Sequence, residues 1–239
     1  MSLRALVTRA EPEAQETAAR IRARGHAAFV APLLRIKDRA GDVRLESAQA
    51  LLFTSANGVR AFARQSEERG LPVYCVGDAT AAAARAAGFA KVKSADGDAG
   101  ALVALAVHAL DPRAGALLHM SGADLASDIA AELRALGFRA ERRIVYEAAA
   151  AGALPASAAA LLAADPPGLD LVFFHSPRAA RIAASLISST AARGLDAACL
   201  SPAVAEAASL LPWRRIIVAP APREDALLDA SLPQTGAKA

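Results

Sequence analysis

The stretch LLFTSANGVRAF (51–62) starts as an apolar strand and ends as a helix, and the turn between them is polar. Thr54, Ser55, Ala56, Asn57 and Gly58 bring two hydroxyls, an amide and a glycine to one place, without a phosphate-loop lysine or a metal ligand. Such turns recur at Thr8-Arg9, Gly77-Asp78, Ser121-Gly122, Ser176-Pro177-Arg178 and Ser201-Pro202. Each closes an apolar run and opens a helical one. In an open α/β sheet this is the edge where ligands bind. Free N–H groups and the positive helix end suit carboxylates or phosphates there. Taken singly, such residues are N-caps worth about 1 kcal/mol each, and Asp78 and Asp124 are read that way. Several turns facing one another across a cleft would instead hold an elongated anion.

Other chemistries have less support. Neither G-x-G-x-x-G after a strand nor G-x-x-x-x-G-K-[ST] occurs, and C-x-x-C, H-E-x-x-H and G-x-S-x-G are missing too. Four histidines (His26, His108, His119, His175) are scattered without metal-ligand spacing. His119 and His175 fall at strand ends where they could line a cleft, although buried, hydrogen-bonded histidines are the simpler account. Cys75 and Cys199 sit in apolar runs and read as buried reduced thiols rather than a disulfide or a nucleophile.

The elements that position these turns follow from the hydrophobic pattern. RALVT (4–8), HAAFVAPLL (26–34), ALLFTS (50–55), PVYCVG (72–77) and AKVKSA (90–95) read as strands, with helices over 13–25, 57–70 and 78–88 between them. Strands apolar on both faces that alternate with helices indicate parallel sheets. The second half replays the first: 115–148 matches the N-terminal β-α-β unit, 169–184 parallels 49–64, and 196–211 parallels 72–88, with Cys199 opposite Cys75. Two similar α/β lobes are expected.

Across 239 residues, 54% hydrophobic and 21% charged, a sizeable core can form. The formal charge of +3 comes from dispersed arginines, and aromatics are 4%. That argues against a nucleic-acid groove and for a small anionic ligand. No run of about 18 apolar residues occurs, and the N-terminus lacks a signal-peptide core. No membrane association and a cytoplasmic location are expected. The tail 223–239, polar at its end, is expected to fray after about residue 230.

In this order, LVTRAEPEAQETAARIRARG with PLLRI, FTSANGV, VYCVGDATAAAARAAGF, GFRAERRIVYEA, FFHSPRAA and ACLSPAVAEAA resemble the uroporphyrinogen-III synthase family over about residues 3–230. The resemblance implies a flavodoxin-like lobe from residues 1–35 and 148–239, a second lobe from 38–143, and hinge strands at 33–37 and 142–148. It implies closure of the linear tetrapyrrole hydroxymethylbilane to uroporphyrinogen III, with inversion of the terminal ring, loss of water and no cofactor. Thr8, Arg9, Ser55, Ala56, Asn57, Gly77, Ser121, Gly122, Ser176, Arg178 and Ser201 would bind this polycarboxylate, with Arg60 a further cation near the same edge.

Tyr146, at the tyrosine of the family's V-Y motif, would be the general acid, and Thr80, at the threonine of V-G-x-x-T-A, a second catalytic hydroxyl. Where the family often has threonine this chain has Ala203, so Ser201 would substitute there. A monomer is expected, with transient contact to the enzyme that supplies the substrate. The alternatives are a non-catalytic two-lobed protein that closes on a small anion, and a regulatory derivative of the enzyme that binds without turnover.

Overall fold

The computed structural model describes residues 2–39, 44–125 and 127–233. The chain forms two compact units, Met1–Arg35 with Ala149–Ala239, and Ile36–Ala148. Unit 1 opens with β1 (Arg4–Val7), α1 (Glu13–Ala23) and β2 (Ala27–Val30), followed by β3 (Leu34–Asp38), in which the chain passes into unit 2. Unit 2 continues through β4 (Ala48–Phe53), α2 (Ala56–Gln65), β5 (Val73–Cys75), α3 (Asp78–Ala86), β6 (Val92–Ser94), α4 (Ala99–Ala109), β7 (Ala116–Gly122), α5 (Ile129–Ala135) and β8 (Ala140–Ala150). Unit 1 resumes with α6 (Ala156–Ala163), β9 (Leu171–Phe174), α7 (Pro177–Leu186), α8 (Ser189–Arg193), β10 (Asp196–Cys199), α9 (Pro202–Ala208), β11 (Arg215–Val218) and α10 (Glu224–Ser231).

In unit 1 the strand order is β2-β1-β9-β10-β11, every pairing parallel, which is the flavodoxin-like winding. In unit 2 parallel strands run β8-β7-β4-β5-β6, with β3 beside β8. Replacing β1, β2, β9, β10 and β11 by β7, β8, β4, β5 and β6 turns one order into the other. The repeat is therefore a circular permutation, in the register that aligns Cys75 of β5 with Cys199 of β10. Both thiols are buried and free, and burial pushes each pKa up to about 12, so neither is a thiolate at neutral pH.

Each sheet is covered on both faces, which explains strands without alternation. On one face of unit 2, Leu51, Phe53, Val73 and Cys75 meet Val59 and Phe62 of α2 and Ala81 and Ala84 of α3. On the other face, Ala50, Leu52, Tyr74 and Leu117 meet Leu102 and Val103 of α4 and Ile129 and Leu133 of α5. Phe53, Phe62 and Phe89 form an aromatic trio with ring centroids 6.0, 6.4 and 6.0 Å apart. Such pairs add roughly 0.5–1.5 kcal/mol each beyond burial. The abundant alanines let helices approach the sheet closely. Gly58 is the limiting case, since a Cβ there would lie 2.7 Å from the Met120 carbonyl oxygen.

One local expectation is corrected. Helix α2 ends at Gln65 rather than at residue 70, because Ser66 is extended and Arg69 donates to the exposed carbonyls of Ala63, Ser66 and Glu68. The tail is helical to Ser231, and the fraying expected after about residue 230 concerns mainly residues outside the described ones. Glu224, Asp225 and Asp229 of α10 pair with Arg9, Arg20 and Arg24, and Leu227, Leu228 and Leu232 are buried. Its last residues, 234–239, lie outside the described ones. Among the described residues, no helix is long and apolar enough to cross a membrane.

Candidate active site

Unit 2 holds a cavity of about 650 Å³ at the carboxyl ends of its strands. That volume is within the range of small-molecule sites. It lies where the winding reverses between β4 and β7, the switch point at which open α/β sheets bind ligands. Thr54 and Ser55 reach it from the end of β4, Ser121 and Gly122 from β7, and Tyr146 from β8. Asp98 and Gly100 come from the start of α4, Asp124 and Ser127 from the loop before α5, and Glu132 adds a carboxylate from α5.

Local chemistry sets each of these side chains. Ser55 is the N-cap of α2, its Oγ accepting from the Asn57 amide at 3.1 Å. Asn57 Oδ1 in turn accepts from Arg60 Nη2 at 2.7 Å, which ties that arginine to the same turn. The Tyr146 hydroxyl points to Ser55 Oγ at 3.5 Å, too long for a strong hydrogen bond. Tyr146 lies over Gly122, where a Cβ would come within 2.7–2.9 Å of its ring and hydroxyl. Gly122 is therefore required because the tyrosine fills the space a side chain would take.

Arg142 organises the end of β7. Its Nε donates to Ser121 Oγ at 2.9 Å, and its Nη2 donates to the carbonyls of Gly122 and Ala123, each at 2.7 Å. The charge is thereby used to satisfy buried backbone acceptors. His119, 1% exposed, places Nε2 3.1 Å from Thr54 Oγ1. Burial, with the Arg142 charge second and Asp128 opposing, pushes its pKa down to about 4, so the ring is neutral at pH 7. The buried, hydrogen-bonded reading of His119 holds, although its Nδ1 has no partner among the described residues.

The sequence-derived residues divide into two sets. Ser55, Ser121, Gly122 and Tyr146 share the cavity. Ala56 and Asn57 occupy the first turn of α2 beside it. Gly77 is the N-cap position of α3, and Thr80 is buried in the first turn of that helix, neither lining the cavity. Thr8, Arg9, Ser176, Arg178 and Ser201 belong to the equivalent edge of unit 1. There Thr8 Oγ1 donates to the Phe173 carbonyl at 2.6 Å, and Arg9 contacts Glu224 and Thr17. Ser176 caps α7 through the Ala179 amide, and Arg178 is exposed on that helix. Ser201 precedes α9 without a side-chain cap bond, so its hydroxyl is not used in capping, and Ala203 is exposed in the helix.

The capping roles assigned to Asp78 and Asp124 are corrected. Asp78 is already inside α3, with Gly77 before it. Asp124 lies in a loop that delays α5 until Ile129, and Asp128 caps that helix through the Ala131 amide. Asp98 likewise caps α4. Sequence reasoning also left Asp98, Ser127, Glu132 and Arg142 off the candidate set. The one local signal was DGDAG (96–100), an Asp/Gly start before an apolar helix. Among the described residues, no three of His, Cys, Asp or Glu converge as metal ligands.

Residues 15–229 match the family model described as "Uroporphyrinogen-III synthase HemD". No curated protein matches the chain. Among solved structures it is similar to the uroporphyrinogen-III synthetase of Helicobacter pylori, with 15% identity over 97% of this chain and 99% of that one and a TM-score of 0.66. It is also similar to a mutant uroporphyrinogen III synthase from Thermus thermophilus, with 15% identity over 95% and 96% of the two chains and a TM-score of 0.50.

Proposed function

The chain belongs to the uroporphyrinogen-III synthase family of tetrapyrrole biosynthesis, and from that premise we propose how its own residues cyclise hydroxymethylbilane. The observation that carries the reading is the cavity at the unit 2 switch point, where the family's FTSANGV turn and Tyr146 meet. The enzyme acts as a cofactor-independent lyase. It removes the hydroxyl of the linear substrate as water, leaving a cationic azafulvenium. The substituted carbon of the terminal ring attacks this centre, and the resulting spiro intermediate breaks and recloses with that ring inverted.

Each part of the cavity has a task. The Tyr146 hydroxyl, a phenolic O–H donor, gives a proton to the departing oxygen. The carboxylates of Asp98, Asp124 and Glu132 favour the cation that follows. Hydroxyls and helix ends of unit 2, Ser55 and Ser121 among them, take acetate and propionate arms of the substrate. Thr80 keeps the first turn of α3 in place. Strands β3 and β8, in which the chain changes unit, serve as the hinge. The largest contribution is orientation, because the unassisted substrate closes to the uninverted isomer. The protein works in the cytoplasm as a monomer and receives its labile substrate by transient contact with the enzyme that makes it.

The test is the product. Freshly prepared hydroxymethylbilane, supplied with and without the protein, is oxidised after reaction and the type I and type III porphyrins are separated. Protein-dependent type III porphyrin supports the reading. Type I alone, at the spontaneous rate, refutes it and favours a two-lobed anion-binding protein.

A further inference from the structure

Two hydroxyl oxygens in the unit 2 cavity have an acceptor side filled from behind by a fixed N–H group. Ser55 Oγ accepts from the Asn57 amide, and Ser121 Oγ accepts from Arg142 Nε. A hydroxyl held this way still has its own proton to offer. The Ser121 proton now reaches the Gly122 carbonyl at 3.1 Å, an oxygen that Arg142 already serves, so a better acceptor could take it.

Among the described residues, Thr54 has one polar side-chain partner, His119 Nε2 at 3.1 Å. A neutral imidazole has one N–H and one lone pair, so two arrangements compete. With the proton on Nδ1, a buried N–H faces no acceptor, and Thr54 commits its O–H to Nε2. With the proton on Nε2, the orphan is a lone pair, Nε2–H donates to Thr54 Oγ1, and the threonine proton is released toward the cavity. Orphaned buried N–H groups are the rarer defect in native structures. The positive charge of Arg142 bears on the ring and favours a bare lone pair over a further proton.

We propose that His119 is a positioning residue, held as the Nε2–H tautomer, which donates to Thr54 Oγ1 and turns the Thr54 hydroxyl into a donor for an oxygen acceptor of the substrate. Thr54, Ser55 and Ser121 then form one row of hydroxyl donors along the ends of β4 and β7. The inference rests on the reading that this cavity receives substrate.

Its test has two parts. Long-range proton–nitrogen correlation spectra of the whole chain, labelled at histidine nitrogen and free of substrate, tell the tautomers apart. The Nε2–H form is expected for His119; an Nδ1–H or doubly protonated ring overturns the proposal. Turnover is then compared for Thr54→Val, His119→Leu, His119→Gln and the Thr54→Val/His119→Leu double variant. Losing one donor to a substrate oxygen should lower kcat/KM roughly ten- to a hundredfold. His119→Leu should lose as much as Thr54→Val, and the double variant no more than either. His119→Gln, whose amide N–H can stand in for Nε2–H, should retain most of the activity. Additive losses, or a Gln variant as poor as the Leu variant, overturn positioning through Thr54. If His119→Leu does not fold, the spectrum and the Gln variant decide alone. An Nε2–H tautomer combined with normal turnover by Thr54→Val refutes the cavity reading while leaving the hydrogen-bond assignment intact.

Discussion

Acid should destabilise unit 1 through one histidine with buried ring nitrogens. His175 ends β9, and neither ring nitrogen has a partner among the described residues. Burial, with the Arg9 charge second, pushes its pKa down from 6.5 to about 3. The folded state therefore refuses a proton that the unfolded chain binds. The stability contributed by the neutral ring is fully present above pH 6.5 and is lost as pH falls from there toward about 3. Each pH unit inside that window costs about 1.36 kcal/mol, so lowering pH from 7 to 5 should cost about 2 kcal/mol. Urea slopes are about 1–3 kcal/mol/M, which makes this a midpoint shift of roughly 1 M.

Asp170 and Asp196 of the same unit do not interfere. Burial alone would raise Asp170 and Asp196, but Arg4, and Arg214 with Arg215, hold them below 3.8. Their stabilisation is present above that value and lost only at lower pH. The single tryptophan supplies the assay, since Trp213 packs edge-on to Phe174 at 5.6 Å in unit 1. Its fluorescence in urea at pH 7, 6 and 5 should give falling midpoints, and His175→Gln should remove that slope. A midpoint constant across the window, or an equal slope in the Gln variant, would refute the reasoning.

Three further outcomes follow from the geometry. Gly58→Ala gains about 1 kcal/mol of helix propensity but forces a Cβ to 2.7 Å from the Met120 carbonyl, so circular dichroism in urea should show a net loss of about 1–2 kcal/mol; equal or higher stability would mean that α2 can move away freely. Tyr146→Phe should lower kcat by roughly a hundredfold with an unchanged melting temperature, and unaltered kinetics would remove its acid role. Ser176→Ala should cost about 1 kcal/mol because its Oγ caps α7, while Ser201→Ala should cost almost nothing, a contrast that Trp213 fluorescence can read.

The sheet architecture was legible because parallel strands buried on two faces leave unbroken apolar runs, and because the repeat preserves positions as distant as Cys75 and Cys199. The turn of Thr54–Gly58 was legible for a local reason, a hydroxyl N-cap placed directly after a strand. The rest of the cavity was not. The Thr54–His119 bond spans 65 residues, and the Arg142 guanidinium acts on carbonyls 19 and 20 residues away, so no local pattern marks either. Asp124 looked like a cap because the loop before α5 could not be measured from sequence. Likewise, nothing local to QSEERG announced that Arg69 would gather the carbonyls at the end of α2.

We propose that ring inversion takes place at the carboxyl edge of the unit 2 sheet. The most direct measurement is the rate of type III porphyrin formation by two variants assayed side by side, Tyr146→Phe with Ser55→Ala in one chain, and Glu141→Gln in another. Glu141 lines a separate cavity of about 420 Å³ with Ser47 and Ala116, which lies at the start of β7. A large loss of type III formation is expected in the first variant and native rates in the second. Native rates in the first, or equal losses in both, would contradict it.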